Sequence, residues 1–92
     1  MRQLARIHVI FSGSVQGVGF RFVSERIAVR LNLTGFVKNL LDGTVEVVCE
    51  GNKSELEVFL KKIAETMAGY ISDFHVDWEP ACNKFTSFEI RF

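Results

Sequence analysis

An excess of positive charge is the first thing this chain lacks. Eleven Lys and Arg balance eleven Asp and Glu over 92 residues, so there is no broad field to draw nucleic acid or an anionic membrane, and basic groups matter only where they are focused. Cysteine and histidine are scarce, with two of each. Cys49 and Cys82 lie far apart without Cys-x-x-Cys spacing, which argues against a zinc site and a disulfide framework. We expect two buried or half-buried thiols in a reducing cytosol, with pairing between them left open. Long apolar runs are missing as well. Nothing approaches the length that spans a bilayer, and the run after residues 1–6 is too short and too interrupted for a signal peptide. The expectations are a cytoplasmic address, no membrane, no nucleic acid and a monomer. With one proline and no low-complexity stretch, residues 1–92 read as a single domain, and any active site must sit on an edge of its one sheet.

What the chain does hold is apolar: 48% of its residues, nine Phe among them, enough for a packed core. Ile7, Val9 and Phe11 alternate with His8, Ile10 and Ser12 as a strand with one buried face. Phe20, Val23, Ile27, Ala28 and Leu31 recur at helical spacing, with Ser24, Glu25, Arg26 and Arg30 elsewhere. Residues 35–41 and 44–50 read as two strands joined by a tight Asp42-Gly43 hairpin. Ser54-Glu55-Leu56-Glu57 has the form of a capping box opening a helix with the stripe Leu56, Phe59, Leu60, Ile63 and Met67, which Gly69 is placed to stop. Phe74, Val76 and Trp78 alternate in a fourth strand ended by Pro80, and Trp78 is expected in the core with the phenylalanines. Phe88, Ile90 and Phe92 form a short last strand that closes the core. His8 and His75 fall on the polar alternation and are expected in solvent, without a catalytic role.

The order is that of an α+β, ferredoxin-like split βαβ sandwich (βαββαβ) with a short extra C-terminal strand, an antiparallel sheet carrying two helices on one face. A right-handed crossover makes the first two strands parallel with the third between them. Their C-terminal ends then share one edge. This brings Asn39 beside the stretch Gly13-Ser14-Val15-Gln16-Gly17-Val18-Gly19-Phe20-Arg21. Glycines at a strand-to-helix turn can fold backbone N–H groups inward, and with the free donors of the helix start and the Arg21 guanidinium they make an anion cradle. It is no Walker loop, because no Lys-Ser or Lys-Thr follows.

Phosphoryl transfer asks a protein to hold phosphoryl oxygens, stabilise their charge and place a nucleophile in line. The loop and Arg21 serve the first two needs, and the Asn39 amide can orient a water. No acid or base stands nearby. An alkyl phosphate leaving as an alkoxide usually needs one, whereas an acyl phosphate leaves as a carboxylate whose acid has a pKa of roughly 4. The residues therefore favour a mixed carboxylic-phosphoric anhydride.

The same run, with Gly35-Phe36-Val37-Lys38-Asn39 and Asp42-Gly43-Thr44-Val45-Glu46-Val47, resembles the signature of the acylphosphatases, and the resemblance covers essentially the whole chain. It implies a metal-free, cofactor-free hydrolase with a ferredoxin-like fold that takes a small-molecule acyl phosphate and releases inorganic phosphate. Under it, Arg21 and the backbone amides of Val15, Gln16, Gly17, Val18, Gly19 and Phe20 bind the phosphate, and Asn39 positions the attacking water. Two departures bear on substrate preference: Phe36 stands where many members have tryptophan, and residues 68–73 lack the family's common proline-rich, arginine-containing form. Two other classes were weighed. Gly19-Phe20-Arg21-Phe22 has the look of an aromatic RNA-contact motif, but it lies after the first strand rather than on the third. A phosphate-binding module of a larger assembly, as at the N-terminus of hydrogenase-maturation proteins, is less expected for a chain that ends just after its last strand.

Overall fold

Alternating apolar residues, helical stripes and glycine turns build seven elements in a computed structural model that describes residues 3–92. Met1 and Arg2, the start of the segment weighed against a signal peptide, lie outside them. The elements are β1 (Leu4–Gly13), α1 (Phe20–Arg30), β2 (Thr34–Asn39), β3 (Val45–Asn52), α2 (Lys53–Thr66), β4 (Ile71–Glu79) and β5 (Phe88–Arg91). The sheet order is β4-β1-β3-β2-β5, the ferredoxin-like arrangement with β3 between β1 and β2. The sheet is mixed rather than purely antiparallel, because β5 runs parallel to β2, pairing Gly35 with Phe88 and Lys38 with Arg91.

Both helices lie on one face. Ile7, Val9 and Phe11 of β1, Val45, Val47 and Cys49 of β3 and Val37 of β2 point into the core, where they meet Phe20 and Ala28 of α1 and Leu56, Phe59 and Ile63 of α2. Side-chain alternation puts one set of each strand on this face, and truncating a fully buried ring such as Phe59 to Ala costs about 3–5 kcal/mol. Ser24 was expected among the polar positions, yet it is fully buried, its hydroxyl donating to the Phe20 carbonyl at 2.8 Å. A small side chain that satisfies itself one turn back can sit in a core.

Several boundaries differ from the sequence reading. The cap of α2 is Asn52, whose Oδ1 accepts from the Ser54 N–H at 3.3 Å, so Ser54 is a first-turn residue rather than the cap. Helix α2 ends at Thr66, ahead of Gly69, which is not among the positive-φ glycines. The hairpin is wider than a two-residue turn: Leu40 and Leu41 leave β2, the Gly43 N–H donates to the Leu40 carbonyl, and the Leu40 N–H donates to the Thr44 carbonyl at 2.9 Å. The Thr44 hydroxyl at 2.6 Å and its N–H at 3.1 Å bind the Asp42 carboxylate, which holds its pKa below the usual range.

The aromatic face of β4 was expected in the core. Phe74, Val76 and Trp78 do lie on the helix side, paired with Phe11, Val9 and Ile7, but Trp78 is 45% exposed and Phe74 nearly as much. The two helices pack over β1, β3, β2 and β5 and leave this edge strand uncovered. Phe92 lies beyond β5 and is exposed, so Phe88 and Ile90 alone close the core there.

The connection from β4 to β5 is pinned by one carboxylate. Glu50, 4% exposed, accepts from the backbone N–H groups of Cys82 and Asn83, each at 3.0 Å, and from the Cys82 thiol at 2.9 Å. The Arg6 guanidinium lies at 3.9 Å. Cys49 is buried and Cys82 is exposed rather than half-buried; both are free thiols. Burial alone raises the Glu50 carboxyl, but the Cys82 thiol, the two amides and Arg6 outweigh it and hold the group below its ordinary value. A depressed folded-state pKa contributes stability above the unfolded value of about 4.3, and that stability is lost as pH falls through the folded value. Glu50→Ala is therefore expected to cost about 3 kcal/mol at neutral pH. In urea titrations the gap between variant and parent should narrow in acid, and a gap equally wide at acid pH would contradict this account.

Candidate active site

The loop that leaves β1 turns on two glycines. Gly17 and Gly19 sit at φ 76° and 81°, a conformation that costs a residue with a Cβ and that lets successive backbone N–H groups face one side. Gly19 is the N-cap of α1, and no side chain caps the helix there. The first turn contains no acidic residue, so the amides of Phe20, Arg21 and Phe22 stand open at the positive end of the helix. Most helices begin with a serine, threonine or aspartate that occupies those donors. This one leaves them without a side-chain partner.

A second contact fixes the loop to the neighbouring strand end. The Gln16 side-chain amide donates to the Leu40 carbonyl at 2.7 Å and to the Thr44 carbonyl at 2.9 Å, so both of its N–H groups bind the hairpin that follows Asn39. Asn39 is the last residue of β2, paired with Val45 at the start of β3. We expect Gln16→Ala to lower kcat/KM by about tenfold to a hundredfold by letting loop and Asn39 drift apart, with a stability loss of about 1 kcal/mol. Unchanged kinetics in a folded Gln16 variant would show that the clamp does not set the geometry.

Loop, Arg21 and Asn39 line one cleft of about 200 Å³. Val15, Gly17, Gly19 and Phe20 contribute to its wall. Of the other loop residues named from the sequence, Gln16 reaches to the hairpin and Val18 packs against the core. The Arg21 guanidinium donates to the Arg91 carbonyl at 3.1 Å and lies 4.7 Å from the centre of the Phe92 ring. Among the described residues no carboxylate pairs with it. A guanidinium has five donors, so most remain for a ligand. The charge is held in place without being neutralised.

Three lining residues escaped the sequence reading: Phe22, Ile90 and Phe92. Phe22 was noticed only in connection with RNA, and the other two were assigned to the core. The parallel pairing of β5 with β2 brings Ile90 and Phe92 to this edge. Phe36 is not on the lining. It stacks under the Arg91 guanidinium at 4.1 Å, and so contacts the residue whose backbone carbonyl holds Arg21. His8 is half-buried, 2.7 Å from Glu46, rather than free in solvent, and the more exposed His75 pairs with Asp77 at 3.1 Å. Among the described residues no group of three or more His, Cys, Asp or Glu could hold a metal ion.

Residues 7–90 match the family model described as Acylphosphatase. The chain belongs to the acylphosphatase family. It is 42% identical over 90 residues to an acylphosphatase of Methanospirillum hungatei, covering 96% of this chain and 98% of that one. It is 47% identical over 75 residues to that of Geobacillus kaustophilus, covering 80% of each. The crystal structure of acylphosphatase from Bacillus subtilis superposes with a TM-score of 0.87 at 29% identity, over 98% of this chain and all of that one. Full-length HypF, solved in a phosphate- and nucleotide-bound form, superposes with a TM-score of 0.90 at 29% identity, over all of this chain and 12% of HypF. The reaction is accordingly hydrolysis of an acyl phosphate to a carboxylate and phosphate.

Proposed function

We propose that Arg21 and the backbone amides of Val15 to Phe20 hold the phosphoryl group of an acyl phosphate while Asn39 positions a water for direct attack on phosphorus. The observation that carries this reading is the meeting, in one cleft, of an uncapped helix N-terminus, an arginine without a carboxylate partner and an asparagine. The amides and the guanidinium stabilise the equatorial oxygens, whose charge is spread in the transition state. The Asn39 side chain, which both donates and accepts, orients the water without changing its own charge. The P–O bond to the acyl group breaks as the water oxygen bonds to phosphorus. The carboxylate leaves unprotonated because its conjugate acid has a pKa of roughly 4. The water's protons pass to the phosphate product and to solvent.

Arginine and asparagine do the work here without a metal, so hydrolysis of acetyl phosphate should persist in excess chelator. Turnover that depends on added magnesium would overturn the metal-free reading. We place the enzyme in the cytoplasm as a monomer acting on a small molecule. The two free thiols, Cys49 and Cys82, support a reducing compartment.

A further inference from the structure

Two large apolar side chains stand in solvent beside the cradle. Phe22 is 57% exposed and Phe92 96%, and both line the cleft that holds Arg21 and Asn39. The other apolar walls are committed elsewhere, since Val15 and Phe20 are buried in the core and Ile90 packs against it. Each exposed ring has a guanidinium near it, Arg21 at 4.7 Å from Phe92 and Arg26 at 5.9 Å from Phe22. Among the described residues, Arg21 is the one charged side chain on the lining. With Arg21 given to the phosphoryl group, an acyl group bearing its own carboxylate or ammonium finds no charged partner among the described lining residues, whereas an apolar acyl group finds two rings from which it can displace water.

We infer that Phe22 and Phe92 form a subsite for the acyl half of the substrate, which selects aromatic or bulky apolar acyl phosphates over acetyl phosphate and over charged ones. The inference rests on the reading above, because a phosphoryl group held at Arg21 is what brings the acyl carbon to this part of the cleft. The cleft of about 200 Å³ is smaller than ordinary ligand pockets of roughly 300–1,000 Å³, and its two exposed rings leave the acyl side open to solvent. A flat ring also suits the rigid aromatic walls, because stacking needs little ordering of either partner.

The test compares kcat/KM for benzoyl phosphate, 4-carboxybenzoyl phosphate and acetyl phosphate in the parent, Phe22→Ala and Phe22→Trp. Taking each variant against the parent on the same substrate cancels the differing reactivity of the anhydrides. Phe22→Ala should lower kcat/KM for benzoyl phosphate by about tenfold, mostly through KM, and for acetyl phosphate by less than about threefold. Phe22→Trp, which restores a ring, should recover the benzoyl preference, and Phe92→Leu should erode it. Equal losses on benzoyl and acetyl phosphate would overturn the subsite while leaving the phosphate cradle intact. A parent that prefers the 4-carboxybenzoyl anhydride would overturn it too, pointing to Arg26 as the partner of a charged acyl group. The cradle itself is read separately: inorganic phosphate binding that survives Arg21→Ala would overturn the underlying reading, whatever the substrate ratios.

Discussion

Asn39→Ala should bind inorganic phosphate within about threefold of the parent and lose about a hundredfold to a thousandfold in kcat. The two effects separate because the parts of the site separate. Phosphate is to be held by Arg21 and the loop amides, which belong to α1 and the turn before it, whereas Asn39 ends β2, a separate element lining the same cleft. On the proposed reading, removing its amide takes away the group that orients the water but none of the donors to the anion. Asn39→Asp is a sharper probe, since it keeps the shape and places a negative charge against the phosphoryl group. That variant should lose phosphate affinity as well as turnover. Calorimetric titration with phosphate beside steady-state kinetics reads both. Parallel losses of affinity and rate in Asn39→Ala would remove the water-positioning role.

Arg21→Ala should lose both functions, with kcat/KM down by about a thousandfold or more, equivalent to about 4 kcal/mol of transition-state stabilisation. Arg21→Lys should recover little of this. A lysine ammonium supplies charge, but it cannot present two parallel N–H groups to a phosphoryl edge. Nor can it at the same time sit over the Phe92 ring and bond the Arg91 carbonyl with a planar group as the guanidinium does. Those contacts hold the planar group before any substrate arrives, and pre-organised donors are worth more in the transition state than donors that must be gathered. The experiment is a kinetic and calorimetric comparison of both variants with the parent. An Arg21→Lys enzyme within tenfold of the parent would show that charge alone suffices.

The path from sequence to site was clearest where one backbone rule had one outcome. Glycines between an alternating strand and a helical stripe demanded a turn with inward N–H groups, and the crossover rule brought Asn39 to the same edge. The structure has Gly17 and Gly19 at positive φ and Asn39 on the same cleft. The failures fall where a rule states a pattern but not its surroundings. Alternation correctly grouped Phe74, Val76 and Trp78 on one face, but it does not say whether a helix covers that face, and two helices do not span five strands. Phe92 was assigned to the core because its spacing continued that of Phe88 and Ile90. The strand stops at Arg91, and the ring instead lies beside Arg21. Asn52 and Ser54 both suit a helix cap by type, so composition could not choose between them. Gln16 was read only for its backbone, because two side-chain bonds to a hairpin 24 and 28 residues away leave no local signal.

The shape of the site also suggests why so small a protein can catalyse this reaction. Its groups come from the ends of β1, β2 and β5 and the start of α1, so a single sheet edge replaces the cleft between domains that larger enzymes use. The Gln16 side chain ties the loop to the hairpin after Asn39, and the Asp42–Thr44 bonds brace that hairpin. The easily expelled carboxylate removes the need for an acid.

The measurement that bears most directly on the mechanism is hydrolysis of benzoyl phosphate in oxygen-18 water, with the label located in the products by mass spectrometry. Attack by a positioned water on phosphorus predicts one labelled oxygen in the inorganic phosphate and none in the benzoate. Label in the benzoate would mean attack at the acyl carbon, and would contradict a site built around the phosphoryl group.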